Sequence, residues 1–344
     1  MDVSRLDALR ALAAIAEGAT VRRTASGSDP ADCVAAVLGD DLRRLSILGG
    51  REGLPRSLGS VLGSHVVRCL YGFRGVSSLV IPTPQIRWSN YGGLAVSRDG
   101  STLLVSDISS AIHEFRVADG MHLRTIGSYG TGPLQFNSPW QLCISSDDFV
   151  FVADHFNDRV QVLTPRLDFH SFGGVGHLFR PAGVCADKDS VFVSESYDDR
   201  VSVFSRGDGA LRLRFGSSGR GDGQLHYPCG LCFTGKSHHI AVADNENHRI
   251  SVFTAKGEFV RHMGDDRLTY PSDVASSLGD DEIFVADYGN RRVAMFNGCG
   301  EFVKTLRLAD EMGVSSVAVH GDAVFAQTHH AYHRRDASAC VVST

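Results

Sequence analysis

The chain has 344 residues, 43% apolar and 21% charged, with 34 Lys+Arg against 39 Asp+Glu and a formal charge of −5. These proportions describe a folded globular chain, not a disordered one. The acidic balance excludes a general grip on nucleic acid, which needs surplus Lys and Arg to displace phosphate counterions. The 37 glycines against 10 prolines predict many tight turns and hence many short strands. No apolar run reaches the roughly 18 residues of a membrane-spanning helix.

Residues 1–75 read as a short helical segment. Leu6, Leu9, Leu12, Ala13 and Ala16 recur at helical spacing, with Gly18 as a stop. A second helical pattern runs through Val34, Val37, Leu38, Leu42 and Leu45 to Gly49 and Gly50. Asp2, Asp7, Arg10 and Glu17 break the alanine-rich start, so neither a secretory signal nor a mitochondrial presequence is expected. The expected compartment is cytoplasmic, where the eight cysteines read as reduced thiols. Ten Arg and eight acids in 1–75 leave +2 there and −7 on the rest of the chain. The expected division is a helical leader or cap over 1–75 and one main domain over 76–344.

The main domain repeats itself. An apolar run ends in an acid, and five residues later an Arg opens the next run. The pairs are Asp154 with Arg159, Glu195 with Arg200, Asp244 with Arg249 and Asp287 with Arg292. Asp107 begins a weaker copy without the Arg, and Gln327 marks a degenerate last one. These positions lie 40 to 49 residues apart. A period in the forties with four β-type runs per unit is the pattern of propeller blades. In the fourth unit the runs are 230–233, 240–242, 250–253 and 258–261, with Lys256-Gly257 as the last turn. Only Trp88 and Trp140 are present, and neither precedes Asp, which excludes the WD-type repeat.

The order Pro-x-Gly, Val-Ala-Asp, Asn-x-Arg-[Ile/Val], then Phe and a Gly turn resembles the NHL-repeat family over residues 90–335. That resemblance implies an all-β, six-bladed β-propeller following the helical segment. Leu79-Val80-Ile81 is then available as a closing strand for the degenerate last blade.

A group that recurs in every blade reads as structural rather than catalytic. Asp107, Asp154, Glu195, Asp244 and Asp287 are expected to hold the turn after the second strand, and Asp154, Asp244 and Asp287 to accept its N–H groups. Arg159, Arg200, Arg249 and Arg292 are expected to bridge to that turn or to a neighbouring blade. Cys143, Cys185 and Cys232 occupy the place of Ala95, Ala275 and Ala318 in other blades, a slot for a small buried side chain. Cys229-x-x-Cys232 lacks the second pair of a zinc site. His329, His330 and His333 form a metal-like cluster with no scaffold motif behind it, so no metal or cofactor is expected. Arg206-Gly207-Asp208 and Arg220-Gly221-Asp222 read as turns beside charges.

The turns after the second and fourth strands share one face. They present Phe156, Tyr197, Asn245, Tyr288, Trp140, Arg180 and His226 as candidate partner contacts, since aromatic side chains dominate interface energetics. The turns after the second strands carry a net −4, the wrong sign for phosphate. The expectation is a non-enzymatic scaffold that binds another protein or peptide on this face, with neither nucleic acid nor membrane as partner. The resemblance leaves three alternatives: a substrate-recognition adaptor acting with a separate ubiquitin ligase, an RNA-binding propeller, and a peptide-amidating-type lyase. Family members often carry a RING zinc domain, but Cys33, Cys69 and His65 are too few ligands for one. The residues following the matching prolines are Trp140, Ala182, Cys229 and Ser272, not the His of the lyases.

Overall fold

A computed structural model of the chain describes residues 65–70, 79–82, 92–107, 110–235, 237–277, 281–308, 313–329 and 340–343. The helical patterns expected within 1–49 lie outside the described residues, as do His330 and His333.

The repeat folds into antiparallel four-stranded blades, each a simple up-and-down meander. Blade one comprises Leu94–Val96, Thr102–Ser106, Ile112–Arg116 and His122–Ile126. Blade two comprises Pro139–Ile144, Val150–Asp154, Arg159–Leu163 and Phe169–Gly173. Blade three comprises Pro181–Ala186, Ser190–Glu195, Arg200–Ser205 and Leu211–Phe215. Blade four comprises Pro228–Phe233, Ile240–Asp244, Arg249–Phe253 and Phe259–Met263. Blade five comprises Pro271–Ser276, Ile283–Asp287, Arg292–Phe296 and Phe302–Leu308. The described chain is thus an all-β propeller with five such blades, where six were expected.

The remaining strands form a composite. Gly313–His320 pairs with Ala323–His329, which pairs with His65–Leu70, which pairs with Leu79–Pro82. The 79–82 strand therefore sits one place further out than a strand closing directly onto the last repeat; His65–Leu70 takes that seat. Both strands come from far upstream of the repeat they extend. Cys340–Ser343 pairs with the outer strand of blade five and with Ala323–His329.

Burial follows from this stacking. Second strands such as Val150–Asp154 and Ile240–Asp244 are buried throughout, because neighbouring sheets cover both of their faces. Outer strands such as Phe169–Gly173 and Leu211–Phe215 keep the period-2 alternation of a half-exposed strand. Apolar clusters fill each space between neighbours: Leu104 and Ile112 meet Leu142 and Val152, and Phe192 meets Val242. Leu103 and Phe115 of blade one meet Phe325, so the composite packs against blade one as well as blade five. In the fourth blade the last turn spans Thr254 to Glu258, and Gly257 adopts φ +80°, a conformation that favours glycine.

Cys143, Cys185 and Cys232 hold equivalent register positions opposite Phe151, Phe192 and Ala241. Burial pushes the Cys143 thiol up to about 12 and raises the others as well. These thiols remain protonated, which makes them poor nucleophiles. No helix among the described residues is long and apolar enough to cross a membrane.

Candidate functional site

The site face is built by the repeat acid. Asp154 ends the second strand of blade two with its carboxylate buried. Its Oδ1 accepts the Asn137 N–H at 2.7 Å, from the connector that enters the blade. Its Oδ2 accepts Arg159 Nε at 2.8 Å, and the Arg159 guanidinium also donates to the carbonyls of Thr131, Gly132 and Gln135. Blade four repeats this with His226, Asp244 and Arg249, and blade five with Thr269, Asp287 and Arg292. In blade three Glu195 accepts from Phe179 N–H and Arg200. The acids were expected to accept N–H groups of the turn that follows them. Asp107 does, from Ala111 N–H. Asp154, Asp244 and Asp287 reach back to the incoming connector instead, and the short 3-10 turns after them have no side-chain cap.

A second set of bonds joins one blade to the next. The residue before each blade-opening proline (Ser138, Arg180, Tyr227 and Tyr270) has φ near +50°. Its N–H donates to the turn of the preceding blade: Arg180 to Asp158 Oδ1, Tyr227 to Asp199 Oδ1, Tyr270 to His248 Nδ1 and Ser138 to Ser110 Oγ. Asp158, Asp199 and His248 themselves adopt φ between 50° and 58°. Each such turn therefore presents its side chain sideways to its neighbour.

This framework sets an aromatic patch on the face. The Arg180 guanidinium lies 4.3 Å from the Phe156 ring and 5.8 Å from Phe179. Phe179 packs edge-on to Tyr197 at 6.2 Å, and Tyr197 edge-on to Tyr227 at 5.5 Å. Phe156 is 47%, Phe179 46% and Tyr197 58% exposed. Beneath them His155 is buried, stacked on Trp140 at 3.8 Å, with Nδ1 3.0 Å from the Pro181 carbonyl. Burial first, and then the nearby Arg180 charge, lower its pKa to about 4.

Of the expected contacts, the structure brings Phe156, Arg180 and Tyr197 together. Trp140 is only 7% exposed and underlies the patch, so it is not a surface contact. Tyr288 is half-buried with its ring against Gly313. Asn245 donates to the Pro271 carbonyl, joining blade four to blade five. His226 is exposed, but its N–H is held by Asp244. Phe179, next to Arg180 in the chain, also belongs to the patch.

At the axis, Gln141 of blade two and Asp273 of blade five meet at 2.6 Å, beside a cavity of about 20 Å³. Burial raises Asp273 to about 6, against the opposing bonds from Ser316, Val317, Val274 and Gln141. Arg206-Gly207-Asp208 is a turn between the outer strands of blade three, where Arg206 pairs with Asp147 at 2.6 Å. Among the described residues no three His, Cys, Asp or Glu side chains are grouped to hold a metal ion.

With this geometry in view, residues 225–253 match the NHL repeat. The chain is 28% identical over 119 residues to protein brain tumor of Drosophila melanogaster, covering 33% of the chain and 11% of that protein. It is 41% identical over 59 residues to RING finger protein nhl-1 of Caenorhabditis elegans, covering 17% of the chain and 6% of that protein. The matched stretch holds Asp244 and Arg249, the acid and Arg that recur in the other blades, so the chain is similar to NHL-repeat proteins there while spanning only a small part of their length. Among solved structures, a chain of a nidogen/laminin complex superposes with TM-score 0.57 at 19% identity, over 74% of this chain and 98% of that one. A streptogramin B lyase gives 0.55 at 13%, over 70% and 77%. These structural likenesses concern the fold.

Proposed function

We propose that the chain is a non-enzymatic protein-interaction scaffold that captures another protein or peptide on the patch of Phe156, Phe179, Arg180 and Tyr197. One observation carries this reading: three large aromatic side chains, each near half exposed, lie side by side on buried supports. Exposed aromatics gathered around an Arg are the composition of interface hot spots. The acidic turns beside them disfavour single-stranded RNA. The composite of 313–329, 65–70 and 79–82 is read as the sixth blade. The leader or cap expected over 1–75 then gives up His65–Leu70 to the propeller, and the compartment is cytoplasmic.

The likeness to a RING finger protein favours one refinement, in which the captured protein is passed to a separate ubiquitin ligase. The test is affinity capture with the natural chain and with a Phe156→Ala/Tyr197→Ala double variant. Loss of the captured proteins at unchanged melting temperature is expected; an unchanged set rejects the patch. A ligase among the captured proteins separates the adaptor reading from a plain scaffold. Submicromolar binding of single-stranded RNA at about 150 mM salt would reverse the choice of partner class.

A further inference from the structure

Near the end of its outer strand, each of four regular blades sends a large apolar side chain towards the next blade. Ile126, Phe215, Met263 and Leu306 stand there, opposite Ile112, Val201, Ile250 and Val293 of the third strands. All four are buried in the apolar cluster shared with the following blade. In blade two the same position falls to Gly173, opposite Val160. Two residues earlier, Ser171 takes the place of Arg124, Leu213, Arg261 and Lys304. The cluster between blades two and three accordingly draws no side chain from Phe169–Gly173.

Neither the backbone nor crowding demands glycine here. The φ of Gly173 lies outside the left-handed region, and a Cβ built on it would meet only Val160 beyond its chain neighbours, at 3.8 Å. The missing side chain leaves a cleft of about 690 Å³ between the two blades, walled by Phe151, Val160, Val162, Val193 and Phe204. Ligand pockets span about 300–1,000 Å³. At the rim the Arg206 guanidinium lies 5.4 Å from the Phe149 ring and pairs with Asp147 at 2.6 Å. Asp147 and Asp208 there offset Lys188 and Arg206, so the cleft suits a neutral, apolar occupant. Phe169–Gly173 is also the outermost strand of its sheet. Its free edge can pair with an extended backbone, a contact that a peptide can use and a small apolar molecule cannot.

We propose that the cleft between blades two and three binds an extended, uncharged peptide segment of a partner protein, with one large apolar side chain seated beside Gly173. The partner then supplies from outside the group that Ile126, Phe215, Met263 and Leu306 supply within their own blades. The cleft shares no residue with the patch of Phe156, Phe179, Arg180 and Tyr197, so it is a second, independent docking site.

The test is selection from a random peptide library displayed on phage, against the full chain carrying Phe156→Ala and Tyr197→Ala, which disables the patch. Peptides sharing one Phe, Leu, Ile or Met should emerge. A synthetic peptide of that sequence should bind at least about thirtyfold more weakly once Gly173→Leu is added, the scale of a lost hot-spot side chain. Gly173→Leu should also raise the melting temperature, because it fills a void in the core. Ser171→Arg, which narrows the cleft with the side chain found at Arg124 and Arg261, should weaken the peptide in a chain that stays folded. The proposal is overturned if no peptide is selected, or if the selected peptides bind the folded Gly173→Leu or Ser171→Arg chain as tightly as the starting protein. It is overturned in favour of a small-molecule pocket if no peptide is selected but 8-anilinonaphthalene-1-sulfonate binds and Gly173→Leu abolishes its fluorescence.

Discussion

Arg159 holds three kinds of partner at once: the buried Asp154 carboxylate, the carbonyls of the incoming connector, and the face of Phe172 at 4.0 Å. Arg159→Ala strands a carboxylate inside the protein, and breaking such a pair costs about 3–5 kcal/mol. Urea denaturation should show a loss of that size, and Arg159→Lys should recover little, since an ammonium lacks the planar fork. At the surface the expectation reverses. Tyr197→Ala should change stability by less than about 0.5 kcal/mol while weakening partner capture. Tyr288→Ala should lower the melting temperature, because its ring lies against Gly313. His155 adds a pH dependence. Its pKa is 6.5 when unfolded and about 4 in the fold. The stability it contributes is present above pH 6.5 and is lost as pH falls towards 4, by at most about 3 kcal/mol. Asp273 acts in the opposite sense over an overlapping range, because its raised pKa favours the fold as it protonates. Comparing the natural chain with His155→Gln at pH 7 and pH 4.5 isolates the histidine, and the advantage of the natural residue should shrink at the lower pH. The acid and Arg were legible because they recur. The burial of Trp140 was not, since it depends on stacking against His155, fifteen residues away, which no repeat position announces.

At the scale of the strand and turn, the four-run unit and its Gly turns were readable from alternation and spacing. The connectors were not. A positive φ is ordinarily signalled by Gly or Asn, yet Ser138, Arg180, Tyr227 and Tyr270 adopt it directly before proline. The bonds from the preceding blade make this conformation tolerable. Asp158→Ala should therefore cost about 1–3 kcal/mol by leaving the Arg180 N–H without its acceptor. It should also disturb Phe156 and Phe179 through Arg180, so partner capture falls together with stability. On the inner strands the glycines are constrained by proximity. A Cβ on Gly183 would stand 2.5 Å from the Cys229 carbonyl of the next blade and 2.8 Å from Ser194 Oγ. Gly183→Ala should cost about 1–3 kcal/mol through overpacking, measurable as a lower urea midpoint with an unchanged m-value.

For the whole molecule, five blades follow the chain in order, while the composite draws on segments more than two hundred residues apart. The repeat had faded to Gln327 there, so sequence spacing could reveal the strand at 79–82 but not its neighbour at 65–70. Deleting residues 65–82 should lower the melting temperature and increase light scattering, because the edge of Ala323–His329 loses the strand that covers it. A deletion with the melting curve of the full chain would show that the composite is dispensable.

The sideways bonds between blades lend the molecule a modular grammar. Blades two to four each end their turn with an acceptor and begin with a donor, so any of these units copied in tandem arrives with both halves of its own joint. Duplication or deletion of one of these three units then leaves its neighbours' joints matched, and what must be reinvented is the curvature that lets the circle close.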